Sequence, residues 1–261
     1  MKIGSNSTHA WSRRAAATDG RSLRVDMSPL SLRYRAKNMI SEPEDLKKIR
    51  LRIRIINVVV AAAGLVIATP LMLIIAAAIK VSSRGPVIFK QPRVGLDRRR
   101  GSHRDGVAHR RNVDRGGRIF TIYKFRTMRS EPTGSQQQWA TKADPRITVV
   151  GRFLRATRLD ELPQLFNVLL GDMNIVGPRP EQPEIFSELH RELGPRYRNR
   201  QRVLPGITGL AQVEQGYDTD LDSVRRKVAL DLKYIGKRTP GQDLTIMAKT
   251  LPVMVLRKGA H

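Results

Sequence analysis

The sequence predicts an α/β protein that is mostly helical and is attached to a membrane. Residues 55–79 form an uncharged, mainly apolar run, which is long enough to cross a bilayer. Two short β-prone segments follow at 87–91 and 118–124, and most of the remaining chain shows apolar residues at helical spacing. We therefore expect one membrane helix, amphipathic helices at the membrane interface, and a short sheet.

The apolar run has features of a helix that enters the membrane and returns to the same face. Thr69 and Pro70 interrupt it, and proline removes one helical hydrogen bond and clashes with the preceding turn, so a kink is expected near Ala68. A straight span would leave one arginine-rich part of the chain outside, against the positive-inside tendency. We therefore predict a re-entrant helix over residues 51–81 and a monotopic protein. An ordinary signal-anchor span remains the alternative.

The composition points to an anionic partner. The chain has 261 residues and a formal net charge of +25, which favours phospholipid, nucleotide or nucleic acid as the partner. It has no cysteine, which excludes disulfides and thiolate chemistry. Residues 1–50 are basic and lack sustained periodicity, so they predict a flexible arm. That arm lacks an apolar signal-peptide segment, so no cleaved signal peptide is expected.

An arginine-rich insertion occupies residues 97–118, between the two β-prone segments. It contains eight arginines together with His103 and His109, whose spacing does not suit a metal site. We interpret the insertion as a solvated loop or one that faces lipid headgroups, and we expect no specific nucleic-acid recognition.

The segment 152–180 carries the most informative cluster of charge, an adjacent Asp160-Glu161 pair among arginines. The apolar spacing after it and Pro163 predict a helix that begins near Asp160. A helix N-terminus, with Arg155 and Arg158 upstream, is expected to lower the pKa of Asp160 and keep it ionised. An ionised aspartate surrounded by guanidinium groups is suited to phosphate chemistry. The alternative is that the pair only caps a helix and forms ion pairs.

The residues after the acidic pair predict a rigid support for one further arginine. Gly171-Asp172 indicates a turn, and residues 174–176 indicate a short buried strand. The sequence Gly177-Pro178-Arg179-Pro180 then places Arg179 on a stiff backbone.

The C-terminal part predicts further helices around a small strand. Residues 205–212 indicate a glycine-containing loop and strand, and residues 221–236 indicate a helix. Residues 243–255 have one apolar face, which suits either an interfacial helix or packing on the core. Walker and dinucleotide-binding glycine motifs are absent from the sequence.

The segment from about residue 50 to residue 258 resembles the bacterial sugar transferase family, the small monotopic phosphoglycosyl transferases. The resemblance rests on the order and spacing of several motifs: the apolar run with Thr69-Pro70, SRGPVIFKQ at 83–91, RVG at 93–95, YKFRTM at 123–128, DPRIT at 144–148, the Asp160-Glu161 pair, GPRP at 177–180 and PGITG at 205–209. The arginine-rich insertion departs from the family, which has a short turn there. Asn57 stands where the family commonly has aspartate.

The resemblance implies transfer of a sugar 1-phosphate from a UDP-sugar to polyprenyl (undecaprenyl) phosphate, with UMP released and Mg2+ required. It implies that Asp160 is the nucleophile on the β-phosphorus and a ligand of Mg2+, and that Glu161 assists it. Three cations are implied as phosphate-binding residues: Lys124, Arg155 and Arg179. Such covalent catalysis predicts ping-pong kinetics.

The resemblance also implies a location and partners. The catalytic domain, residues 82–258, is expected on the cytoplasmic face of the inner membrane, in contact with anionic lipid, at the first membrane step of exopolysaccharide or glycan assembly. The helix break at Thr69-Pro70 matches a similar break in the family. The sequence does not decide whether the protein forms a homodimer or which sugar is transferred. Two alternative functions also stay open: a membrane-anchored polyanion-binding protein and a nucleotide-sugar hydrolase.

Overall fold

A computed structural model of the chain describes residues 44–97, 116–129, 144–215 and 220–255. In these ranges it contains seven α-helices and four strands, with short 3-10 turns at Leu159–Glu161 and Pro195–Arg202. The helices are α1 (Glu44–Ser82), α2 (Val149–Thr157), α3 (Gln164–Leu170), α4 (Pro183–Leu193), α5 (Leu210–Glu214), α6 (Leu221–Lys237) and α7 (Pro240–Val255). The strands are β1 (Ile88–Val94), β2 (Ile119–Phe125), β3 (Asn174–Val176) and β4 (Gly206–Thr208).

The mostly helical fold with little sheet is as predicted, with one difference in the strands. Within the described residues they form two separate pairs, antiparallel β1-β2 and parallel β3-β4, where one short sheet was expected. The helix predicted over residues 51–81 is longer than expected, since α1 begins at Glu44. The predicted loop and strand at 205–212 gives way to helix α5 after Thr208. Residues 1–43 of the predicted arm and 98–115 of the predicted insertion lie outside the described residues.

Helix α1 is long and apolar enough to cross a membrane from Lys47 to Ser82, and only 11% of its most apolar window is buried against the rest of the protein. Most of its large side chains from Val66 to Ile74 are exposed. A helix in the core of a soluble protein would instead bury such residues. The exposed middle of α1 therefore marks a surface that is suited to lipid.

The N-terminal half of α1 is fixed to the rest of the protein by polar contacts. Arg54 donates from Nη1 to the carbonyl of Val168 (2.6 Å) and from Nη2 to that of Leu169 (2.9 Å). Both carbonyls belong to the last turn of α3, where the helix dipole favours a nearby cation. The amide oxygen of buried Asn57 accepts a hydrogen bond from the backbone N–H of Ile175 in β3. A neutral amide can thus fill this position, where the family commonly has aspartate.

The C-terminal half of α1 is fixed by apolar packing. Ile75 and Ile79 are buried in one cluster with Phe125 of β2 and Leu154 of α2. Between the two fixed halves, the Thr69 hydroxyl donates to the carbonyl of Leu65 (2.6 Å), and Pro70 lies inside the helix. Both features are typical of places where helices bend.

The main core joins α1, α3 and the C-terminal helices to residues of both strand pairs. Its buried members include Ala61 of α1, Ile122 of β2, Val168 of α3 and Ile246 of α7. Helix α7 therefore packs on the core through Ile246, which answers the question that its sequence left open. Leu244, on its opposite side, remains exposed.

Candidate active site

The acidic pair lies in a tight turn between two helices. Arg158 ends α2 in the left-handed region, with φ 56°, and the 3-10 turn Leu159–Glu161 follows. The helix predicted to begin near Asp160 begins there only as this 3-10 turn, and α-helix α3 begins at Gln164. The reason is Pro163: it has no N–H for the carbonyl of Leu159, which accepts from the N–H of Leu162 instead (3.3 Å).

Strand β2 brings Lys124 to this turn. Side chains alternate between the two faces of a strand, so Lys124 lies on the same core-facing side of β2 as buried Phe120 and Ile122. Its ammonium group therefore needs a partner that compensates for the loss of water. Asn167 of α3 fixes the distance between strand and turn. Its side chain donates to the carbonyl of Thr121 (2.7 Å) and accepts from the N–H of Tyr123 (3.1 Å).

The β3-β4 pair brings Arg179 to the same place. The backbones approach so closely after β3 that a Cβ on Gly177 would lie 2.6 Å from the carbonyl oxygen of Leu204, so only glycine fits. Beyond Gly177, the carbonyl of Arg179 accepts from Arg200 Nη2 (3.1 Å), and that of Pro180 accepts from Arg93 Nη1 (3.0 Å). The backbone on both sides of Arg179 is therefore held in place.

Glu161 joins these cations in a partly buried ion cluster. Its Oε1 lies 3.0 Å from Lys124 Nζ and 2.6 Å from Arg179 Nη2, and its Oε2 lies 3.5 Å from Arg179 Nη1. Burial would raise the pKa of Glu161, but Arg179 and Lys124 outweigh burial and hold it well below the usual range. Burial also lowers the pKa of Lys124, an effect that Arg179 adds to and Glu161 opposes. Glu161 is thus a permanently charged anchor for two cations.

Asp160 differs from its neighbour because no side chain in the described ranges donates a hydrogen bond to its carboxylate. Burial and the negative charge of Glu161 raise the pKa of Asp160, and Lys124, Arg179 and Arg155 only partly offset them. The prediction of a lowered pKa was therefore wrong. The arginines lower the pKa of Asp160 as expected, but partial burial and the adjacent Glu161 anion raise it more strongly. The size of these two effects depends on the folded conformation of the turn, which the sequence does not give.

The structure brings three of the five predicted site residues into direct contact, Glu161, Lys124 and Arg179, and Asp160 precedes Glu161 in the same turn. Arg155, in the last turn of α2, acts on Asp160 through its charge. Sequence reasoning missed the supporting roles of Arg93 and Arg200. Burial, followed by Arg179, lowers the pKa of Arg93 to about 10. The RVG motif gave a signal for Arg93, whereas no local pattern distinguishes Arg200 from the other arginines of its segment.

The donor set around the turn is consistent with a Mg2+ ion held jointly by protein and substrate. In the described part of the chain, no three side chains among His, Cys, Asp and Glu converge as a metal-binding group. Both Glu161 oxygens face cations, which leaves Asp160 as the available carboxylate. Mg2+ is commonly bound by one or two carboxylates together with substrate phosphates, and one carboxylate meets that requirement.

Comparison with known proteins identifies the family. The family model for bacterial sugar transferases matches residues 49–257. A UDP-glucose:undecaprenyl-phosphate glucose-1-phosphate transferase of Caulobacter vibrioides is 38% identical over 213 residues, covering 81% of this chain and 72% of the relative. A UDP-N-acetylgalactosamine-undecaprenyl-phosphate N-acetylgalactosaminephosphotransferase of Aeromonas hydrophila is 40% identical over 205 residues, covering 78% and 44%.

A third relative is closer in size to this chain. The exopolysaccharide production protein PSS of Rhizobium leguminosarum is 36% identical over 205 residues, covering 76% of this chain and 92% of its own length. The chain spans less than half the length of some other relatives, including the Aeromonas protein. Because the family model covers most of the chain, from α1 to α7, the protein belongs to the bacterial sugar transferase family.

Proposed function

We propose that this protein transfers a sugar 1-phosphate from a UDP-sugar to polyprenyl phosphate, with undecaprenyl phosphate as the natural acceptor. The observation that supports this most directly is the arrangement at the 3-10 turn. One carboxylate, Glu161, is neutralised by two cations, and the adjacent carboxylate, Asp160, is left without a hydrogen-bond donor among the described residues. Helix α1 adds an apolar surface next to this site, as a lipid acceptor requires.

In the first step, a carboxylate oxygen of Asp160 attacks the β-phosphorus of the UDP-sugar. The bond between that phosphorus and the bridging oxygen breaks, UMP leaves with the electron pair, and a phosphosugar remains on Asp160. In the second step, a phosphate oxygen of the acceptor attacks the same phosphorus and the Asp160 carboxylate leaves. The products are UMP and polyprenyl-diphosphate-sugar.

Glu161 assists this chemistry by fixing Lys124 and Arg179. Both cations stand beside Asp160, where a diphosphate has to bind, and Arg155 adds a third positive charge. Cations that are fixed in advance stabilise the charge that develops on the phosphoryl oxygens without further rearrangement. When bound, Mg2+ would be held by Asp160 and the diphosphate and would neutralise part of the phosphate charge.

The test is an assay of purified protein in detergent with a panel of UDP-sugars, starting with glucose, galactose and their N-acetylated forms. We expect UMP release that yields lipid-linked sugar diphosphate only when polyprenyl phosphate is present. Free sugar phosphate as the sole product would indicate a nucleotide-sugar hydrolase. The absence of any turnover across the panel, with retained binding to anionic vesicles, would indicate a polyanion-binding protein.

We further propose that α1 is re-entrant, with the catalytic domain on the cytoplasmic face of the inner membrane. Its two halves contact the same domain, through Arg54 at one end and Ile79 at the other, while the large side chains from Val66 to Ile74 between them are mostly exposed. A helix that crossed the bilayer would separate its two ends by about 30 Å of hydrocarbon. The middle of α1, around Pro70, would then dip into the lipid.

The topology is testable because the chain has no cysteine. Single cysteines at Ser5 and Asn199 should both resist a membrane-impermeant thiol reagent in intact cells and react with it after permeabilisation. Labelling of either position in intact cells would require a true span and would refute the re-entrant helix.

The arginine-rich insertion, most of which lies outside the described residues, remains a proposed contact with anionic lipid. Its replacement over 98–115 by a short Gly-Ser turn should weaken binding to anionic liposomes at low salt. Formation of the covalent intermediate in detergent should be unchanged. Failure of a folded variant to form the intermediate would instead assign these arginines to substrate binding.

A further inference from the structure

A pocket opens beside the acidic pair, and most of its wall is apolar. Its lining residues come from the 3-10 turn, α3, β4, α5 and α7: Arg158, Glu161, Leu162, Leu165, Ile207, Thr208, Gln212, Val213 and Thr250. Arg158 and Glu161 are the charged members of this set. The pocket therefore joins the charged site to an aliphatic surface.

The polar groups of the wall are largely engaged within the protein. The hydroxyls of Thr208 and Thr250 are hydrogen-bonded to each other at 2.9 Å, and Gln212 Nε2 donates to the carbonyl of Ile207 (3.1 Å). Gln212 Oε1 is buried without a partner and is the exception. A ligand in this pocket therefore meets chiefly the aliphatic side chains of Leu162, Ile207 and Val213.

The apolar wall continues into the membrane helix. Leu165 lies so close to α1 that a Cβ placed on Gly64 would be 3.3 Å from its Cδ1. Leu165, Ile207 and Val213 pack against the core cluster that contains Ala61 of α1. The pocket thus lies beside the reactive turn, and its lining residue Leu165 packs against the helix that we place in lipid.

We propose that this pocket holds the first isoprene units of the polyprenyl phosphate acceptor, with Arg158 beside the acceptor phosphate. This proposal rests on the proposed function. A polyprenyl phosphate joins an anion directly to a branched hydrocarbon, so its site must place a cation next to an apolar wall. A UDP-sugar is polar along its whole length and needs hydrogen-bonding groups at its base, ribose and sugar. The lining fits the acceptor better than the donor.

The two substrates can be tested separately because a ping-pong enzyme completes the donor step alone. Val213→Phe places an aromatic ring in the pocket wall. Without acceptor, we expect the burst of UMP from the UDP-sugar to match that of the wild-type protein. With acceptor, we expect KM for undecaprenyl phosphate to rise about tenfold or more. Ile235→Thr, a change in the same core cluster but outside the pocket, serves as the control and should leave KM for the acceptor unchanged.

The dependence of the rate on acceptor length gives a second measurement. Wild-type protein should prefer geranyl phosphate to methyl phosphate, and Val213→Phe should remove most of that preference. If Val213→Phe also loses the burst, the comparison is repeated with Val213→Thr, which has nearly the volume of valine and should show a smaller loss of the same preference.

Two results would overturn the proposal. An unchanged KM and an unchanged length preference in both Val213 variants would show that the acceptor lies elsewhere. A weakened donor burst in folded Val213→Thr with normal acceptor kinetics would assign the pocket to the nucleoside, for which Gln212 Oε1 would be a partner. Failure of the proposed function is distinct, since wild-type protein would then form no lipid-linked product.

Discussion

Two ion clusters lie close together in this protein, and they differ in how completely their carboxylates are paired with cations. In the first, Glu161 is paired with Lys124 and Arg179, while Asp160 beside it has no hydrogen-bond donor among the described side chains. The second is the network around Arg200, which is buried between α6 and the segment after β3. There, Arg200 contacts Asp231 (2.7 Å) and Glu181 (3.5 Å).

In the Arg200 network every acid is paired. Lys227 also contacts Glu181 (3.1 Å), and the Tyr197 hydroxyl accepts from Arg200 Nη1 (3.0 Å). Burial would raise the pKa of Glu181, but Lys227 and Arg200 outweigh burial and lower it to about 2. Burial would lower the pKa of Arg200, but Asp231, Tyr197 and Glu181 raise it above its usual value.

The difference separates a supporting cluster from a reactive one. A buried acid whose oxygens face fixed cations has little capacity to attack phosphorus, whereas an acid without such partners keeps it. The two clusters are also connected, because Arg200 Nη2 donates to the carbonyl of Arg179. We infer that the saturated network holds the backbone from which Arg179 reaches the reactive turn.

The largest expected effect on activity comes from Asp160→Asn. An amide of the same size cannot attack phosphorus, so turnover should fall by on the order of 10⁴-fold or more. The raised pKa means that the ionised carboxylate is disfavoured by folding, so thermal stability should stay the same or rise. UMP release and thermal unfolding in detergent measure the two effects. Near-normal UMP release by purified Asp160→Asn would refute the nucleophile assignment.

The largest expected effect on stability comes from Arg200→Met. It leaves buried Asp231 without its cation and should destabilise the fold by about 3 to 5 kcal/mol. Adding Asp231→Leu should restore part of this loss, since the double variant has no unpaired buried charge. Urea unfolding followed by circular dichroism provides the comparison. Equal stability of wild type and Arg200→Met would show that the network is not a support.

Glu161→Gln should have an intermediate effect, because the amide keeps the shape but cannot neutralise Lys124 and Arg179. We expect a loss of roughly 100-fold in the rate of UMP release. The lowered pKa means that Glu161 stabilises the fold above its unfolded pKa of about 4.3 and loses this effect as the pH falls below that value. The stability difference between wild type and variant should therefore shrink in acid. A pH-independent difference would argue against the ion cluster.

The smallest expected effect is a shift in the pH profile. Because Asp160 must be ionised to react and its pKa is raised, activity should fall with decreasing pH at values above the ordinary aspartate pKa of about 3.9. Arg155→Gln removes a charge that lowers this pKa, so it should move the acidic limb to higher pH. The measurement is kcat/KM for the UDP-sugar against pH. A limb that stays in place would remove Arg155 from the electrostatics of the site.

Local patterns in the sequence were sufficient for much of the fold. The strand at 174–176 and the helix at 221–236 followed from apolar spacing and turn residues, and the structure places them at Asn174–Val176 and Leu221–Lys237. The start of α3 was misplaced because Pro163 cannot donate to the carbonyl of Leu159, so a 3-10 turn precedes the α-helix. Which face of α7 packs inward also depended on its neighbours, as buried Ile246 shows.

Motifs and composition were enough to identify the residue types of the site and an apolar helix of membrane length. Which carboxylate is paired could not be predicted in this way, because Lys124, Glu161 and Arg179 lie on three segments that meet only when the chain folds. The burial of Asp160 also depends on the folded chain. This burial raises the pKa of Asp160, against the expected direction, because the energetic cost of a charge depends on how much solvent the fold removes from it.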